Sequence, residues 1–234
     1  MQPSALAIIP ARGGSKRIPR KNIKPFAGEP IIRYSIRAAL MSGCFSEVMV
    51  STEDKEIADV ASRCGATIPF RRSEKTADDQ AMLADVIEEV VLEYQKRGRR
   101  FDLFCCILPT APFISGDRIK EAYDLLVRND VDSVFPVTRF SYPIQRALRI
   151  ENGLMKMFWP ENYNVRSQDL EPAFHDSGQF YWMKTASLLR QKQLFAEKSI
   201  GLELPESEVQ DIDNEEDWKV AEMKYTLLQT VQGT

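Results

Sequence analysis

A basic, glycine-containing loop follows the first apolar segment of the chain. Residues 12–24 carry six cationic side chains and no acidic one, and they include Gly13 and Gly14. Glycines let backbone N–H groups approach an anion closely, and arginine and lysine side chains can neutralise phosphate oxygens. The loop therefore predicts a phosphate site, and the number of cations favours a nucleoside triphosphate over a monophosphate.

Two common phosphate-binding motifs are absent from this loop. It has neither the G-x4-G-K-[ST] pattern of the Walker A motif nor the G-x-G-x-x-G pattern of dinucleotide-binding folds. The alternative is a solvated basic loop without a ligand, since charge runs usually face water. Tandem glycines directly after an apolar strand favour the ligand site.

Two aspartates near the carboxyl end form a second group of residues suited to phosphate chemistry. Asp211 and Asp213 are two positions apart, so in an extended segment their carboxylates point to one side and can share a hard cation, for which Mg²⁺ is the natural candidate. Asp213 can equally be a helix N-cap, because Asp213-Asn214-Glu215-Glu216 resembles a capping box. Spacing alone leaves both interpretations of Asp213 open.

The distribution of charge limits the classes of partner. The 234 residues carry a net charge of −3, and residues 203–217 hold eight acids and no base. Nucleic-acid modules usually carry a large positive excess, so we expect no nucleic-acid partner. The sequence shows no signal peptide and no apolar stretch of the roughly 20 residues that span a bilayer, which predicts a cytoplasmic protein with no membrane partner. We expect Arg17, Lys24 and most of the carboxyl-terminal glutamates to face water.

Cysteine and histidine usage excludes further kinds of site. The four cysteines form no C-x-x-C pair, and we interpret them as small buried hydrophobic residues. His175 is the only histidine, which excludes a multi-histidine metal centre, and no G-x-S-x-G elbow supports a serine hydrolase. We expect His175 to be a hydrogen-bonded loop residue.

Short apolar segments alternate with helical patterns along the first 138 residues. The apolar segments are bounded by turn residues, as expected of buried parallel strands, and lie at Ala5–Ile9, Val48–Ser51, Leu103–Leu108 and Ser133–Val137. Apolar residues recur at helical spacing in residues 31–41, 54–63, 79–96 and 117–128. This alternation predicts an α/β fold, a mostly parallel sheet flanked by helices, with a ligand site beyond the carboxyl ends of the strands.

Residues 139–176 interrupt the alternation. They are rich in proline, aromatic and polar residues, and Asn152-Gly153 lies between Ala147–Ile150 and Leu154–Phe158. Asn-Gly best tolerates the positive φ angles of a type I′ turn, so the segment predicts a β-hairpin. The hairpin can be an arm that reaches a partner subunit or can pack on its own domain. We expect residues 1–234 to form one domain, with residues 139–176 as an inserted arm.

The segment IPARGGSKRIPRKNIKPFAGEPIIRYSI resembles the signature of the nonulosonic-acid cytidylyltransferases, which activate sialic, legionaminic and pseudaminic acids as CMP-sugars. The Lys21-Asn22 pair distinguishes it from the related Kdo cytidylyltransferases. The resemblance covers most of the chain and continues through Ser51–Asp54, Pro69–Arg72, Leu108–Pro112 and Asp211–Asp213. It implies a Rossmann-like nucleotidyltransferase fold that dimerises through an inserted β-hairpin arm, with residues 139–176 also contributing to the sugar site.

The resemblance also implies a reaction and the residues that perform it. The anomeric 2-hydroxyl of the sugar would attack the α-phosphate of CTP, with Arg12, Lys21 and Asp211 as catalytic residues. Asp211 and Asp213 would hold Mg²⁺. The nucleotide would contact Arg12, Gly13, Gly14, Ser15, Lys16, Lys21, Asn22 and Arg72. Ser73 stands where the P-F-x-R-P segment of the family has its last proline, so this loop departs from the family pattern.

Leu108 bears on which sugar is used. Sialic acid enzymes usually carry Gln in a Q-P-T-S-P segment, whereas here Leu108 precedes Pro-Thr-Ala-Pro. A hydrocarbon cannot replace the hydrogen bonds of an amide, so the adjacent substrate group should be less polar or differently placed. Pseudaminic acid, deoxygenated at its terminal carbon, suits this change. The segments around Arg146 and Gln179 also resemble the pseudaminic branch, which makes Leu108, Arg146 and Gln179 the candidate sugar contacts, whereas Phe180 and Trp182 are expected in the core.

The partners expected from the sequence are CTP, a nine-carbon acidic sugar and a second copy of the chain. The nearest alternative function is the same reaction on N-acetylneuraminic or legionaminic acid. A second alternative is a non-catalytic nucleotide-binding protein that keeps the phosphate loop.

Overall fold

The structure is a computed structural model and describes residues 3–78 and 80–232. Its strands are β1 (Ala5–Pro10), β2 (Pro25–Phe26), β3 (Glu29–Pro30), β4 (Glu47–Ser51), β5 (Leu103–Ile107), β6 (Ser133–Arg139), β7 (Leu148–Glu151), β8 (Leu154–Met157), β9 (Phe174–Asp176), β10 (Phe180–Lys184) and β11 (Ser199–Glu203). Its α-helices are α1 (Ile32–Ser42), α2 (Lys55–Arg63), α3 (Glu74–Ala77), α4 (Leu83–Lys96), α5 (Gly116–Arg128), α6 (Thr185–Gln191) and α7 (Glu215–Gln232).

The predicted mixed α/β fold is confirmed, with a mostly parallel central sheet flanked by helices. Among the described residues, the sheet has seven strands in the order β11-β6-β10-β5-β1-β4, and β9 pairs with β6. β1 lies parallel between β4 and β5, so the chain leaves all three strands at the same edge of the sheet. This edge carries the basic loop after β1 and, at the end of β4, the segment Ser51–Asp54, which we call the S-T-E-D segment.

The antiparallel strand β10 was not predicted as an element. It is inserted between β5 and β6 and runs antiparallel to both. Phe180 and Trp182 are fully buried in the cluster under α1 and α5, whereas Tyr181 and Met183 are buried on the opposite face with α4 and α6. Phe180 and Trp182 therefore belong to the core, as expected.

The predicted helix over residues 79–96 begins later than expected, at Leu83. Asp78 directly follows the short helix α3. Its side-chain Oδ1 accepts a hydrogen bond from Gln80 N–H, and this hydrogen bond closes a local turn. Asp85 then accepts a hydrogen bond from Met82 N–H at the start of α4. The predicted start, Asp79, lies outside the described residues.

A third apolar cluster joins the two ends of the sequence. Ile18 of the basic loop and Ile212 of the aspartate segment are both fully buried in it. Strand β2, helix α1 with the residue before it, and helix α7 contribute the other buried members, which are Phe26, Ile31, Tyr34, Trp218 and Ala221. Burial of apolar surface therefore brings together two segments that lie almost 200 residues apart in sequence.

The predicted hairpin is present within residues 139–176. Strands β7 and β8 pair antiparallel with each other and with no other described strand. Asn152 and Gly153 have φ angles of 52° and 77°, as the Asn-Gly signal predicts. In the described residues, no helix has the length and apolar character needed to cross a membrane.

Candidate active site

A cleft of about 520 Å³ opens at the carboxyl ends of β1, β4 and β5, where the fold predicts a ligand site. It collects most of the residues expected at the nucleotide. Its lining includes Arg12, Ser15, Lys16, Lys21, Asn22, Arg72, Leu108 and Asp213. The cleft therefore brings a concentration of positive charge beside one carboxylate from the distant acidic segment.

Hydrogen bonds within the protein fix the path of the glycine loop. Asn22 Nδ2 donates to the carbonyl oxygen of Arg12 at 2.9 Å, which ties the two ends of the loop together. Gly13 N–H donates to Glu53 Oε1 at 2.6 Å, and Ser15 N–H donates to the Gly13 carbonyl at 3.1 Å. The Gly14 N–H makes no hydrogen bond with any residue that the structure describes. No hydrogen bond within the described structure therefore occupies the Gly14 N–H.

Asp54 holds the far side of the same loop. Its two carboxylate oxygens accept hydrogen bonds from the Arg20 guanidinium at 2.6 and 3.0 Å, and the carboxylate also caps α2 by accepting from Ile57 N–H. The Arg20 hydrogen bonds lower the pKa of Asp54 to about 2, so Asp54 is ionised at neutral pH. Arg20 itself adopts a left-handed conformation with φ 55°, and the ion pair holds it there.

Arg72 supplies a buried cation at the base of the cleft. Its Nε donates to Ser51 Oγ at 3.1 Å and its Nη2 donates to the Ser51 carbonyl at 2.6 Å. Burial lowers the pKa of Arg72, while nearby Glu53 and Glu89 favour its charged form. The adjacent Ser73, which replaces the family's proline, donates from its N–H and hydroxyl to Glu89 and so anchors this loop to α4.

Lys21 and Asp213 bring the two charge runs into contact. Lys21 Nζ lies 3.9 Å from Asp213 Oδ1. Burial lowers the pKa of Lys21, and the negative charges of Asp213 and then Asp211 oppose that effect. Both aspartates therefore act electrostatically on one lysine of the phosphate loop.

The expectation that Arg17 and Lys24 only face water is wrong. Arg17 Nη1 pairs with Asp213 Oδ2 at 2.8 Å, and Lys24 Nζ pairs with Glu215 at 2.6 Å. The third apolar cluster places the basic and acidic segments side by side, so their charges attract at short range. These pairs are partly exposed, and their contribution to stability is correspondingly small.

The N-cap interpretation of Asp213 is also wrong. Asn214 Oδ1 accepts hydrogen bonds from Glu216 N–H and Asp217 N–H, which makes Asn214 the capping residue of α7. Asp217 completes the reciprocal arrangement by accepting from Asp213 N–H and Asn214 N–H. The Asp213 carboxylate is therefore not used by the helix and faces the basic loop.

Asp211 lies beside a second cleft of about 400 Å³, which we call the acceptor-side cleft. The residues that line it include Arg139, Ser177, Asp211 and Lys224. Ile212 is buried between the two aspartates, so alternation along the segment places both carboxylates opposite its side chain. The described residues contain no group of three or more acidic, histidine or cysteine side chains able to hold a metal. Two carboxylates together with substrate phosphates are a donor set that suits Mg²⁺.

The three candidate sugar contacts are in different places. Leu108 lines the nucleotide cleft, and its N–H donates to the Gln179 carbonyl at 2.8 Å. Gln179 is buried, and its Nε2 donates to the Glu208 carbonyl at 2.6 Å, which supports the segment before Asp211. Arg146 is exposed on the arm and donates to the Val165 carbonyl at 2.6 Å. Arg146 does not line either cleft of its own chain.

Sequence reasoning did not assign a role to Glu53. Its carboxylate binds Gly13 N–H, and Arg71 Nη1 donates to its carbonyl at 3.1 Å. Glu53 belongs to the S-T-E-D segment that carries the resemblance, and its position directly after β4 was the available signal. His175 is hydrogen-bonded as expected, through its Nδ1 to the Asp176 carbonyl at 2.9 Å, but it lies in strand β9 and not in a loop.

Comparison with known proteins identifies the family. Residues 6–223 match the Cytidylyltransferase family. The chain belongs to this family. It is 43% identical over 221 residues to a pseudaminic acid cytidylyltransferase of Campylobacter jejuni, which covers 94% of this chain and 95% of the relative. It is 34% identical to a CMP-N,N'-diacetyllegionaminic acid synthase of Legionella pneumophila, over 96% and 97% of the two chains. The chain is therefore a nucleotidyltransferase.

Solved structures support the same fold. A CMP:2-keto-3-deoxy-manno-octonic acid synthetase complexed with CTP superposes with a TM-score of 0.68 at 16% identity, covering 97% of this chain and 99% of that one. A 4-diphosphocytidyl-2C-methyl-D-erythritol synthase from Anaerococcus prevotii gives a TM-score of 0.65 at 13% identity, over 96% and 99% of the two chains. At these identities the likeness establishes the cytidylyltransferase fold.

Gly13 and Gly14 provide a matched test of the loop. A Cβ at Gly13 would lie 2.6 Å from Asp54 Oδ2, which is fixed by Arg20, whereas a Cβ at Gly14 meets no atom within 4 Å. We predict that Gly13→Ala lowers the free energy of unfolding by about 1–3 kcal/mol, as overpacking does. Gly14→Ala should leave it unchanged within about 0.5 kcal/mol. Denaturant unfolding measures both, and equal losses would contradict this account of the loop.

Proposed function

We propose that this chain transfers CMP from CTP to pseudaminic acid and releases pyrophosphate. The observation that carries the proposal is the convergence of the basic loop with Asp211 and Asp213 in a chain 43% identical to a pseudaminic acid cytidylyltransferase over 94% of its length. The glycine loop suits a triphosphate, and the acidic segment suits its metal. Nucleotidyl transfer uses both groups beside one triphosphate.

In this proposal the triphosphate of CTP lies over the loop after β1. Arg12, Lys16 and Lys21, which line the cleft, neutralise phosphate oxygens. Asn22 and Arg72 lie beside the nucleotide. The amides of Gly13 and Ser15 are bonded inside the protein, so their part is to shape the loop and let the phosphates come close.

Asp211 and Asp213 are the residues that would hold Mg²⁺. The donor set fits, because Mg²⁺ commonly takes one or two carboxylates and completes its coordination with phosphate oxygens and water. When bound, the cation would supply positive charge to the phosphates. Arg17 and Lys21 place positive charge beside Asp213, and these ion pairs orient its carboxylate toward the loop.

The reaction forms a bond between the anomeric 2-oxygen of the sugar acid and the α-phosphorus of CTP. The bond from that phosphorus to the oxygen of the departing pyrophosphate breaks, and the hydroxyl proton leaves to solvent. Negative charge grows on the phosphate oxygens during this exchange, and Arg12 and Lys21 are placed to stabilise it. Positioning and electrostatics therefore account for the proposed catalysis.

Leu108 supports pseudaminic acid over the more polar sugars. It lines the nucleotide cleft, and both of its backbone hydrogen-bonding groups are used, since its N–H donates to Gln179 and its carbonyl accepts from Ser35 Oγ at 2.7 Å. Its contribution to the cleft is therefore a hydrocarbon surface. Such a surface favours a deoxygenated carbon over a hydroxyl-bearing one.

Pyrophosphate release from CTP tests this function. With Mg²⁺ present, we predict turnover with purified pseudaminic acid at a kcat/KM at least about tenfold above that with N-acetylneuraminic or legionaminic acid, as expected when a polar group meets an apolar contact. Turnover of either alternative sugar with none on pseudaminic acid would contradict the specificity. CTP binding without pyrophosphate release from any sugar acid would favour a non-catalytic nucleotide-binding protein.

We infer that the arm over residues 139–176 packs against a second copy of the chain. Its hairpin strands are exposed on both faces, and their apolar side chains are largely uncovered, with Ile150 74% and Leu154 67% exposed. Contiguous exposed apolar surface of this kind is typical of interaction sites. Arg146, which does not line a cleft of its own chain, would reach a sugar only in the cleft of the partner copy.

Sedimentation measures this association. We predict that the wild type sediments as a dimer and that Leu154→Glu shifts it to a monomer, because burying a carboxylate in an apolar interface is strongly unfavourable. Met223→Glu, at a position on α7 that is 72% exposed, is the matched control and should remain dimeric. A monomeric wild type would contradict the inference.

A further inference from the structure

Lys224 is a cation that lines the acceptor-side cleft, and the proposed transfer of CMP assigns no role to it. It lies on α7, and its Nζ donates to the Val209 carbonyl at 2.7 Å. Val209 is two residues before Asp211, so this hydrogen bond ties Lys224 to the segment that carries the proposed metal ligand, and both residues line the same cleft. The ammonium has three donors, and among the described residues it makes no other hydrogen bond and no ion pair.

The environment of Lys224 lacks a compensating anion at contact distance. The side chain is half-buried, and burial lowers the pKa of Lys224, with Glu206 only partly opposing this effect. Taking a cation out of water is unfavourable unless it is paired. An anionic ligand in the cleft would remove that cost.

Ser177 gives a second, independent indication of a ligand in the same cleft. Its residue surface is 2% exposed, and its buried Oγ has no hydrogen-bond partner in the described structure. Buried hydroxyl groups are nearly always hydrogen-bonded, because an unmade bond is unfavourable by about 1–3 kcal/mol. The Ser177 hydroxyl is therefore a polar group in the wall of this cleft that a ligand could hydrogen-bond.

The chemistry of the acceptor calls for a cation at this position. This step rests on the proposed function, in which the attacking hydroxyl belongs to a 2-keto sugar acid. The anomeric carbon of such a sugar bears both that hydroxyl and the carboxylate, so the carboxylate must lie close to Asp211 when the hydroxyl is placed for attack. Lys21 faces the nucleotide cleft, whereas Lys224 and Asp211 share the acceptor-side cleft.

We propose that Lys224 binds the carboxylate of the acceptor sugar acid and that the Ser177 hydroxyl donates a hydrogen bond to the same ligand. The two residues lie on different elements, the loop between β9 and β10 and helix α7, so the carboxylate would bridge them across the cleft. This contact makes the site selective for sugar acids over neutral sugars, whichever nine-carbon acid is used.

Steady-state kinetics of Lys224→Gln tests the proposal. Glutamine keeps an N–H donor for the Val209 carbonyl and removes the charge. We expect the KM for the sugar acid to rise roughly 10- to 100-fold, as for loss of one charge-assisted hydrogen bond, while the KM for CTP changes less than about twofold. Lys219→Gln on the exposed face of the same helix is the matched control and should change neither constant.

Further measurements distinguish a binding role from a structural one. With the carboxamide analogue of the sugar acid as acceptor, wild type and Lys224→Gln should have the same KM, because no carboxylate is present. Ser177→Ala should raise the KM for the sugar acid without lowering the thermal midpoint, since its hydroxyl has no hydrogen-bond partner among the described residues. An unchanged KM for the sugar acid in Lys224→Gln, or a rise of equal size for CTP, would overturn the proposal.

Failure of the proposed function has a different signature. If the wild type used a different sugar acid from pseudaminic acid, the substrate assignment would fail while the Lys224→Gln effect on that sugar acid would remain. If the same rise in KM appeared in Arg139→Gln and not in Lys224→Gln, the carboxylate would bind at the rim of the cleft, and the assignment to Lys224 would be wrong.

Discussion

Burial of Ile18 and Ile212 in one apolar cluster is the constraint on which the site depends. The two residues belong to segments that carry opposite charge, and neither Ile18 nor Ile212 lies in a helix or strand that would position it. With Trp218 and Phe26 they form a core that is separate from the two clusters on the faces of the sheet. The hydrophobic effect is not directional, but burial of the two isoleucines also positions the residues next to them in sequence. The Lys21 ammonium and the Asp213 carboxylate are therefore held 3.9 Å apart.

Hydrogen bonds to two carboxylates of the segment Ser51–Asp54 also fix the basic loop, and unlike apolar burial they are directional. Glu53 and Asp54 follow β4 and hold Gly13 and Arg20, respectively. A loop of many cations would otherwise repel itself and spread into water. The protein therefore uses the acidic residues behind the loop to shape it.

Much of the fold could be predicted from the sequence because its parallel strands are short apolar segments separated by clear helical periods. Strand β10 escaped prediction because its apolar residues face both sides of the sheet and its place between β5 and β6 depends on long-range pairing. Most of the polar residues that line the cleft after β1 were predictable because they belong to one contiguous basic loop. The cap of α7 was not, since Asp213 and Asn214 are both good capping residues and only the structure assigns that role to Asn214. Lys224 was also missed, because an isolated lysine on a helix usually faces water.

The central claim is that the basic loop and the aspartate pair together bind one metal–nucleotide complex. Calorimetric titration of CTP with and without Mg²⁺ tests it most directly, using the wild type and Asp211→Asn/Asp213→Asn. The account predicts that Mg²⁺ tightens CTP binding to the wild type at least about tenfold, the equivalent of 1.4 kcal/mol, and that the double variant loses this dependence. Equal dependence on Mg²⁺ in both proteins would contradict the account, because the metal would then bind without the aspartates that the apolar cluster places beside the loop.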